Sequence, residues 1–169
     1  MLLADKASLV MVNDVTEKVE SEIELIKSNE RFLLASKATS DAIWDWDMEN
    51  DEIKWGEGLY TLFGYYGNEV DLDTFYNLIH TDDRERIHNS IEESLKNPEV
   101  SIWKNEYRFL HRKGYYRNVL DNNFIVRNKN KKAVRMIGAM KDITELKEKE
   151  KDLLFLNERY NLVTKATTD

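Results

Sequence analysis

The chain has 169 residues, with 25 Lys and Arg against 32 Asp and Glu and a net charge of −7. This acidic balance argues against a nucleic-acid backbone or an anionic membrane as the main partner. The absence of cysteine excludes disulfides, thiolate catalysis and cysteine-ligated metals. No apolar run approaches the roughly 20 residues that span a bilayer, and the opening MLLADKASLVMVND is not typical of a signal peptide. We therefore expect a cytoplasmic protein.

Two stretches of the chain nearly repeat each other. Residues 14–41 align without a gap with residues 142–169, and 14 of the 28 positions are identical. The offset of 128 residues matches a whole domain and is too long for a solenoid unit. We therefore expect one complete domain between two copies of the same junction, as part of a longer protein built from tandem copies.

Both junctions predict amphipathic helices, because apolar residues recur at steps of three, four and seven among acidic and basic ones. The apolar seams are Val19, Ile23, Ile26 and Leu33 in the first helix, and Ile143, Leu146, Leu153 and Tyr160 in the second. Seams this narrow favour a coiled coil with a second copy. The alternative is an ordinary helix that packs on its own domain. We predict a homodimer through these linker helices.

Each linker helix has a predicted start. Asp14 to Glu17 and Asp142 to Glu145 both fit a capping box, in which the Asp side chain accepts from first-turn N–H groups and the Glu reaches back. The second box directly follows a predicted strand. We therefore expect Asp142, Thr144 and Glu145 to couple that strand to the helix that leaves the domain.

The segments between the junctions predict strands and short helices. Apolar alternation indicates strands at 42–48, 52–55, 101–112, 115–127 and 133–141. Short helical turns are expected over 58–68, a short helix over 71–79, and a longer helix that begins with a capping box at Asp82 and ends at Pro98. Hairpins make the last three strands antiparallel neighbours. The predicted class is α+β, a five-stranded antiparallel sheet with helices on one face.

Four segments between the junctions carry a family resemblance. They are AIWDWDMENDEIKWGEGLYTLFGY (42–65), IHTDDRERI (79–87), EYRFLHRKGYYRNVL (106–120) and VRMIGAMKDITE (134–145). In this order and spacing they resemble a PAS domain, with its C-terminal Asp-Ile-Thr motif, of the type common in bacterial multi-PAS sensor histidine kinases. Three positions depart from the family pattern: Thr81 replaces the usual Pro, Lys113 a frequent Asp, and Asn118 a frequent Trp.

The resemblance implies a division of the chain. Residues 1–13 resemble the tail of a preceding PAS repeat, 14–39 form a linker helix, 40–142 form the PAS domain, and 143–169 form a second linker helix that enters a next repeat. It also implies a sensory or signal-relay module that passes a conformational change to its exit helix. Its expected partners are a second copy, neighbouring repeats and an output domain. The alternative is a structural dimerisation spacer that binds nothing.

Nothing in the residues predicts an enzyme. The glycines lack the spacing of a phosphate-binding loop. Ser90 and Ser94 lie near His88 without a third group to complete a triad, and the histidines at 80, 88 and 111 are scattered. We expect His80 to brace the start of the helix at Asp82. We expect the fragment itself to be non-catalytic.

The resemblance is compatible with a ligand-binding pocket. An unidentified small molecule would bind among residues of the helical and sheet faces: Trp46, Tyr60, Phe63, Phe75, Ile79, Ile87, Ile91, Tyr107 and Ile137. The alternative is a core filled by these side chains. Some relatives bind haem through a His on the long helix, where His88 lies, but His88 is about 100° round from the inward Ile87. We therefore expect no bound cofactor and keep a haem sensor as a further alternative.

Overall fold

The computed structural model describes Val19 and residues 41–166, with side chains described to residue 162. The chain divides into two units, Met1–Thr39 and Ser40–Asp169. In the first unit only Val19 is described, and it is helical and exposed. The predictions for the tail 1–13, for the rest of the first linker helix and for the cap at Asp14 lie outside the described residues.

The second unit contains five strands, four α-helices and a short 3₁₀ helix in its described part. In chain order these are β1 (Ala42–Asp47), β2 (Glu52–Trp55), α1 (Gly58–Phe63), the 3₁₀ helix (Gly67–Glu69), α2 (Leu72–Leu78), α3 (Thr81–Lys96), β3 (Ile102–Leu110), β4 (Tyr116–Arg127), β5 (Ala133–Asp142) and α4 (Thr144–Ala166). Every predicted strand is confirmed within two residues at each end, because period-two alternation is a strong signal for half-buried strands.

The five strands form one antiparallel sheet in the order β2-β1-β5-β4-β3. The last strand therefore lies in the centre, between β1 and β4, with the exit helix directly after it. The predicted α+β class and the antiparallel hairpins are confirmed. A register shift between Val126 and Arg127 marks the end of the β4–β5 pairing.

Two rows of residues cross the core-facing side of the sheet. Because side chains alternate between the faces of a strand, the register places the members of each row side by side. One row holds Trp44, Gly138, Asn123 and Trp103, and the next holds Ala42, Met140, Asp121 and Asn105. Helices α1 to α3 supply Leu59, Phe63, Phe75, Ile87 and Ile91 to the same core.

Helix α3 begins two residues earlier than the sequence indicated. Its N-cap is His80, whose Nδ1 accepts a hydrogen bond from the Asp82 backbone N–H at 3.2 Å. The predicted capping box at Asp82 is therefore wrong, since Asp82 already lies in the first turn. The expectation that His80 braces the start of this helix is confirmed. Acidic residues in a first turn are favourable in any case, because they face the positive end of the helix dipole.

Two arginines fasten α3 to the sheet. At its N-terminus Arg108 of β3 donates from Nε to Asp83 Oδ2 at 2.9 Å and from Nη2 to Asp83 Oδ1 at 3.1 Å. At its C-terminus Arg127 of β4 donates to five backbone carbonyls, those of Ser94, Leu95, Asn97, Val100 and Lys131. The carbonyls that a helix end leaves without partners are in this way satisfied by one guanidinium.

Within the part of the chain that the structure describes, no helix is both long enough and apolar enough to cross a membrane.

Candidate functional site

Six of the nine residues predicted to line a pocket are buried in the core. They are Phe63, Phe75, Ile79, Ile87, Ile91 and Tyr107. The Phe75 ring stands at the centre of this group, with five aromatic neighbours whose ring centroids lie between 5.4 and 6.3 Å away. Aromatic rings at such distances are in favourable contact, so these side chains occupy the region between helices and sheet that was considered as a possible ligand pocket.

The other three predicted pocket residues lie elsewhere. Tyr60 is 52% exposed and stacks on Tyr66 at 4.6 Å. Ile137 faces the opposite side of the sheet, since it pairs with Asp45 and with the exposed Phe124. The predictions for Tyr60 and Ile137 are therefore wrong. Trp46 is half-buried at the edge of the core, and its indole N–H makes no hydrogen bond.

His88 lies on the outer side of α3. The residue is exposed, whereas its neighbour Ile87 is fully buried. Its ring contacts Tyr76 at a centroid distance of 5.1 Å. His88 and the core residues do not form one site. Across Val19 and residues 41–166, no group of three or more His, Asp or Glu side chains has the arrangement of a metal site.

The core contains a carboxylate that the sequence analysis missed. Asp121 on β4 is fully buried. Its Oδ1 accepts from Trp44 Nε1 at 3.2 Å and its Oδ2 from the Tyr107 hydroxyl at 2.8 Å. The signal was present in the segment VLDNNFIV, because alternation puts Asp121 and Asn123 on the same face as the apolar Val119.

Asn123 lies next to this carboxylate on the same face of β4. It is 2% exposed, and neither polar atom of its amide forms a hydrogen bond. The amide fills the space above Gly138, where a Cβ would stand 1.3 Å from Asn123 Oδ1. A residue without a side chain is therefore required at position 138. Unpaired buried polar atoms are rare in native proteins, which makes Asn123 and Asp121 a polar island in an aromatic core.

The environment of Asp121 favours its neutral form. Burial raises the pKa of the Asp121 carboxyl to about 6, against hydrogen bonds from Tyr107 and Trp44 that favour the charged form. The nearby Asn123 amide also favours the charged form, although it lies outside hydrogen-bonding geometry. Burial together with Asp121 raises the pKa of Tyr107 well above its ordinary value. Both shifts follow from desolvation without a compensating cation.

A second group of contacts lies where the last strand enters the exit helix. The Thr144 backbone N–H donates to Asp142 Oδ1 at 2.9 Å. Asn118 of β4 holds the same turn from the side, because its N–H donates to Thr144 Oγ1 at 2.9 Å and its carbonyl accepts from the Ile143 N–H at 2.8 Å. These three hydrogen bonds join β4 and β5 to the first turn of α4.

Charged contacts surround this junction. Arg117 of β4 pairs with Asp142, and Lys147 of α4 pairs with Glu106 of β3 at 2.7 Å. Glu145 instead pairs with Lys149 at 2.6 Å, and its side chain is 81% exposed. The Asp half of the predicted capping box is therefore present, but the prediction that Glu145 reaches back is wrong. The predicted coupling residues Asp142 and Thr144 lie together, and Asn118 joins them.

The charge of Asp142 is stabilised in this position. Burial alone would raise the pKa of the Asp142 carboxyl, but hydrogen bonds from Thr144 and Arg117 outweigh burial and hold the pKa below its ordinary value. Asn118 was noted as a departure from the family pattern. In the structure its backbone, rather than its side chain, makes the junction contacts. The sequence offers no signal for contacts made by a backbone.

Comparison with known proteins gives a consistent family. The family model described as PAS fold matches residues 52–140. Among solved structures, a sensory box histidine kinase/response regulator from Burkholderia thailandensis is 27% identical with a TM-score of 0.63, over 78% of this chain and 98% of that one. The N-terminal domain of a diguanylate cyclase with PAS/PAC sensor from Marinobacter aquaeolei is 23% identical with a TM-score of 0.56, over 62% and 95% of the two chains, a likeness in fold alone.

One curated protein is also similar. The probable diguanylate cyclase DgcE of Escherichia coli is 24% identical over 156 residues, which are 91% of this chain and 14% of that protein. This chain therefore spans about one seventh of the length of that relative. The family match covers more than half of the chain and runs from β2 to β5, and the five-stranded antiparallel sheet has its last three strands as neighbours, as predicted. The chain belongs to the PAS fold family.

Proposed function

We propose that this PAS domain is a non-catalytic sensory and relay module. A change in the core, or one passed from an upstream segment, alters the position of β4 against β5, and Asp142, Ile143 and Thr144 transmit it to α4. The observation that carries the proposal is the contact of Asn118 with both Ile143 and Thr144. It ties the start of the exit helix to the strand that also holds the buried polar island.

The output of the longer protein is a further part of the proposal. A sensory box histidine kinase and two diguanylate cyclases are among the similar proteins. We propose a sensor histidine kinase, with a diguanylate cyclase as the alternative that the Escherichia coli relative favours. Cytoplasmic location belongs to the same proposal. So does a position among neighbouring PAS repeats, which the internal repeat at 14–41 and 142–169 supports.

Self-association through the exit helix is the proposed mode of assembly. The helix exposes large apolar side chains along its length: Leu146, Leu153, Leu154, Phe155, Leu156, Tyr160 and Leu162. Leu146, Leu153 and Tyr160 recur at seven-residue steps, which suits pairing with a second copy. Light scattering should show a dimer that Leu153→Glu and Leu156→Glu weaken. A monomer at high concentration would count against this assembly.

The relay is tested by measuring how firmly the exit helix is held. The chain has no cysteine, so spin labels can be placed at Lys104→Cys on β3 and Lys151→Cys on α4, both exposed positions. With the labelled chain diluted in an excess of unlabelled chain, pulsed electron paramagnetic resonance reports the one distance within a single copy. We expect one narrow distance distribution in the parent chain. Thr144→Val and Asp142→Ala should broaden it, because each removes a hydrogen bond that holds the first turn.

The same variants should remain folded. Loss of a capping side chain costs about 1 kcal/mol, and loss of a partly exposed ion pair up to about 1 kcal/mol more, against a domain stability of roughly 5–15 kcal/mol. Glu145→Gln is the matched control, since its side chain lies on the same turn but contacts only Lys149. In the longer protein, the junction variants should make the output insensitive to its signal. An unchanged distance distribution in both junction variants would refute the relay.

A further inference from the structure

We propose that the carboxyl group of Asp121 is a proton-operated switch in the core of the domain, and that its protonation from solvent alters how β4 holds the exit helix. This inference rests on the proposed relay and names one stimulus for it. The device consists of the polar island, Asp121 and Asn123, and of the junction at the other end of the same strand.

The carboxylate is placed where a proton changes its hydrogen bonds. In the charged form both oxygens accept, one from Trp44 of β1 and the other from Tyr107 of β3. A protonated carboxyl has one O–H donor, which needs an acceptor of its own. The Trp44 indole N–H can only donate, and the Tyr107 hydroxyl must reverse its direction before it can accept from the protonated carboxyl. Protonation therefore weakens or reverses at least one of these hydrogen bonds.

Besides the Tyr107 hydroxyl, Asn123 offers the protonated carboxyl an acceptor. Its Oδ1 is an acceptor without a partner, on the same face of β4 two residues along. A hydrogen bond from the protonated carboxyl to this oxygen would satisfy both groups. Because Asn123 Oδ1 occupies the space above Gly138, such a bond requires the amide to move relative to β5.

No cation among the described residues stabilises the charge of Asp121. Its neighbours across the sheet are Asn105 on β3 and Met140 on β5. The groups that act on its titration are burial, Tyr107, Trp44 and Asn123, with no lysine, arginine or histidine from the described residues among them. Tyr76 of α2 acts on Tyr107 in turn. The pKa of about 6 agrees with this geometry and places the change in a range that cells reach.

The strand that carries the carboxyl also carries the junction. Asp121 pairs with Met140, and two residues earlier on β4 Val119 pairs with Asp142. Asn118, the residue before Val119, forms backbone hydrogen bonds with Ile143 and Thr144. A small displacement of β4 against β5 at Asp121 is therefore delivered within three residues to the first turn of α4. Packed interiors respond to such changes by discrete rearrangement rather than by smooth deformation.

The test is a pH series on the spin-labelled chain. The distance between labels at Lys104→Cys and Lys151→Cys should differ between pH 5 and pH 7.5, with a midpoint near the pKa of about 6. The Asp121 carboxyl carbon should titrate with the same midpoint in nuclear magnetic resonance spectra. In Asp121→Asn the distance should no longer depend on pH, although all three histidines remain.

A second variant covers the case in which Asp121→Asn fails to fold. Tyr107→Phe removes one hydrogen bond that favours the charged form, so the midpoint should move to higher pH. A distance that is the same at both pH values, a pH response that persists in Asp121→Asn, or an unmoved midpoint in Tyr107→Phe would overturn the switch. If the pH series is flat while Thr144→Val still broadens the distribution at pH 7.5, the switch fails and the relay stands. If Thr144→Val and Asp142→Ala change nothing at any pH, the relay itself fails.

Discussion

The domain treats its carboxylates in two ways, depending on where they lie. Outside the core, Asp83 in the first turn of α3 and Asp142 at the end of β5 each pair with an arginine, Arg108 and Arg117. In the core, Asp121 has only the hydroxyl of a tyrosine and the indole of a tryptophan. Hydrogen bonds from Arg108 lower the pKa of Asp83, whereas burial raises the pKa of Asp121. The contacts outside the core therefore favour the charged form of Asp83, whereas burial in the core favours the neutral form of Asp121.

The two regions should stabilise the fold in opposite pH ranges. A carboxyl whose pKa is lowered in the folded state contributes stability above its ordinary value of 3.8 and loses it as the pH falls further. Asp121 binds its proton more tightly when folded, so its contribution is complete below 3.8 and is lost as the pH rises towards about 6. Between these two values Asp121 makes the free energy of unfolding fall as the pH rises.

The largest loss of stability is expected from a substitution in the core, at Gly138. Gly138→Ala would place a Cβ 1.3 Å from Asn123 Oδ1 and 2.9 Å from the backbone carbonyl of Asn122. Overpacking of this severity should cost about 3 kcal/mol or more, measured as the free energy of unfolding in urea. Adding Asn123→Ala should restore part of the loss, because only the backbone contact then remains. Equal losses in the single and double variants would show that the amide is not the obstacle.

The next largest effect concerns Asp121 and the dependence of the free energy of unfolding on pH. Asp121→Asn should abolish a loss of stability of roughly 3 kcal/mol between pH 4 and pH 7, because the pKa lies at about 6 instead of 3.8 and each pKa unit corresponds to about 1.4 kcal/mol. Urea denaturation at four or five pH values measures it. Asp83→Asn is the control and should keep the decline. Burial lowers the pKa of His111, which acts in the opposite sense, so the difference between parent and variant is the quantity to compare.

An intermediate loss of stability is expected at Arg127, which donates hydrogen bonds to carbonyls at the C-terminus of α3. Arg127→Met keeps much of the side-chain bulk but leaves five carbonyls without their donor. We expect a loss of about 2 kcal/mol, since each hydrogen bond to a charged group contributes about 1.5–3 kcal/mol and water replaces some of them. Hydrogen exchange should accelerate in the last turn of α3. Lys132→Met, an exposed position in the adjoining turn, should change neither quantity.

The smallest effect is expected for the exposed pair between the exit helix and β3. Lys147→Met removes the contact with Glu106, whose side chain is 51% exposed. Exposed ion pairs contribute about 0–1 kcal/mol, so the thermal midpoint should barely change. The label distance should remain narrow as well, because the backbone contacts of Asn118 are untouched. A marked broadening would mean that charge, rather than the Asn118 contacts, positions the helix.

The fold was accessible from the sequence because its strands alternate clearly. Trp103, Tyr107 and Phe109 share one face of β3 and are all buried, as the alternation indicates. The phase of β5 was not accessible, because Met136 and Ile137 are both apolar and adjacent, and only the pairing with β1 and β4 places Met136 inside. Tyr60 was misplaced for a related reason, since apolar and aromatic residues lie all round α1 and only its packing shows that Leu59 and Phe63 form the buried face.

The polar parts of the candidate site were harder to find. Asp121 had the phase of a buried residue, but a charged residue in a strand is ordinarily read as solvent-facing because burial of a charge is costly. His80 was placed correctly against Asp82, whereas the start of α3 was not, because Asp82 suits both a cap and a first turn. Contacts made by the backbone of Asn118 leave no mark in the identity of a side chain.

The length of the exit helix determines how far its end moves when the angle at the junction changes. Helix α4 has 23 residues, which at 1.5 Å per residue make a rod of about 34 Å. A tilt of about 5° at Thr144 would displace its far end by about 3 Å, a distance comparable to two residues of helical rise. Ile143 is 5% exposed, whereas the large apolar residues from Leu146 onwards are more than half exposed. Among the described residues, α4 is therefore packed against the domain at its start, while its later apolar side chains are exposed. In the proposed relay, a movement at the junction too small to disturb the core would be magnified towards the far end of the helix.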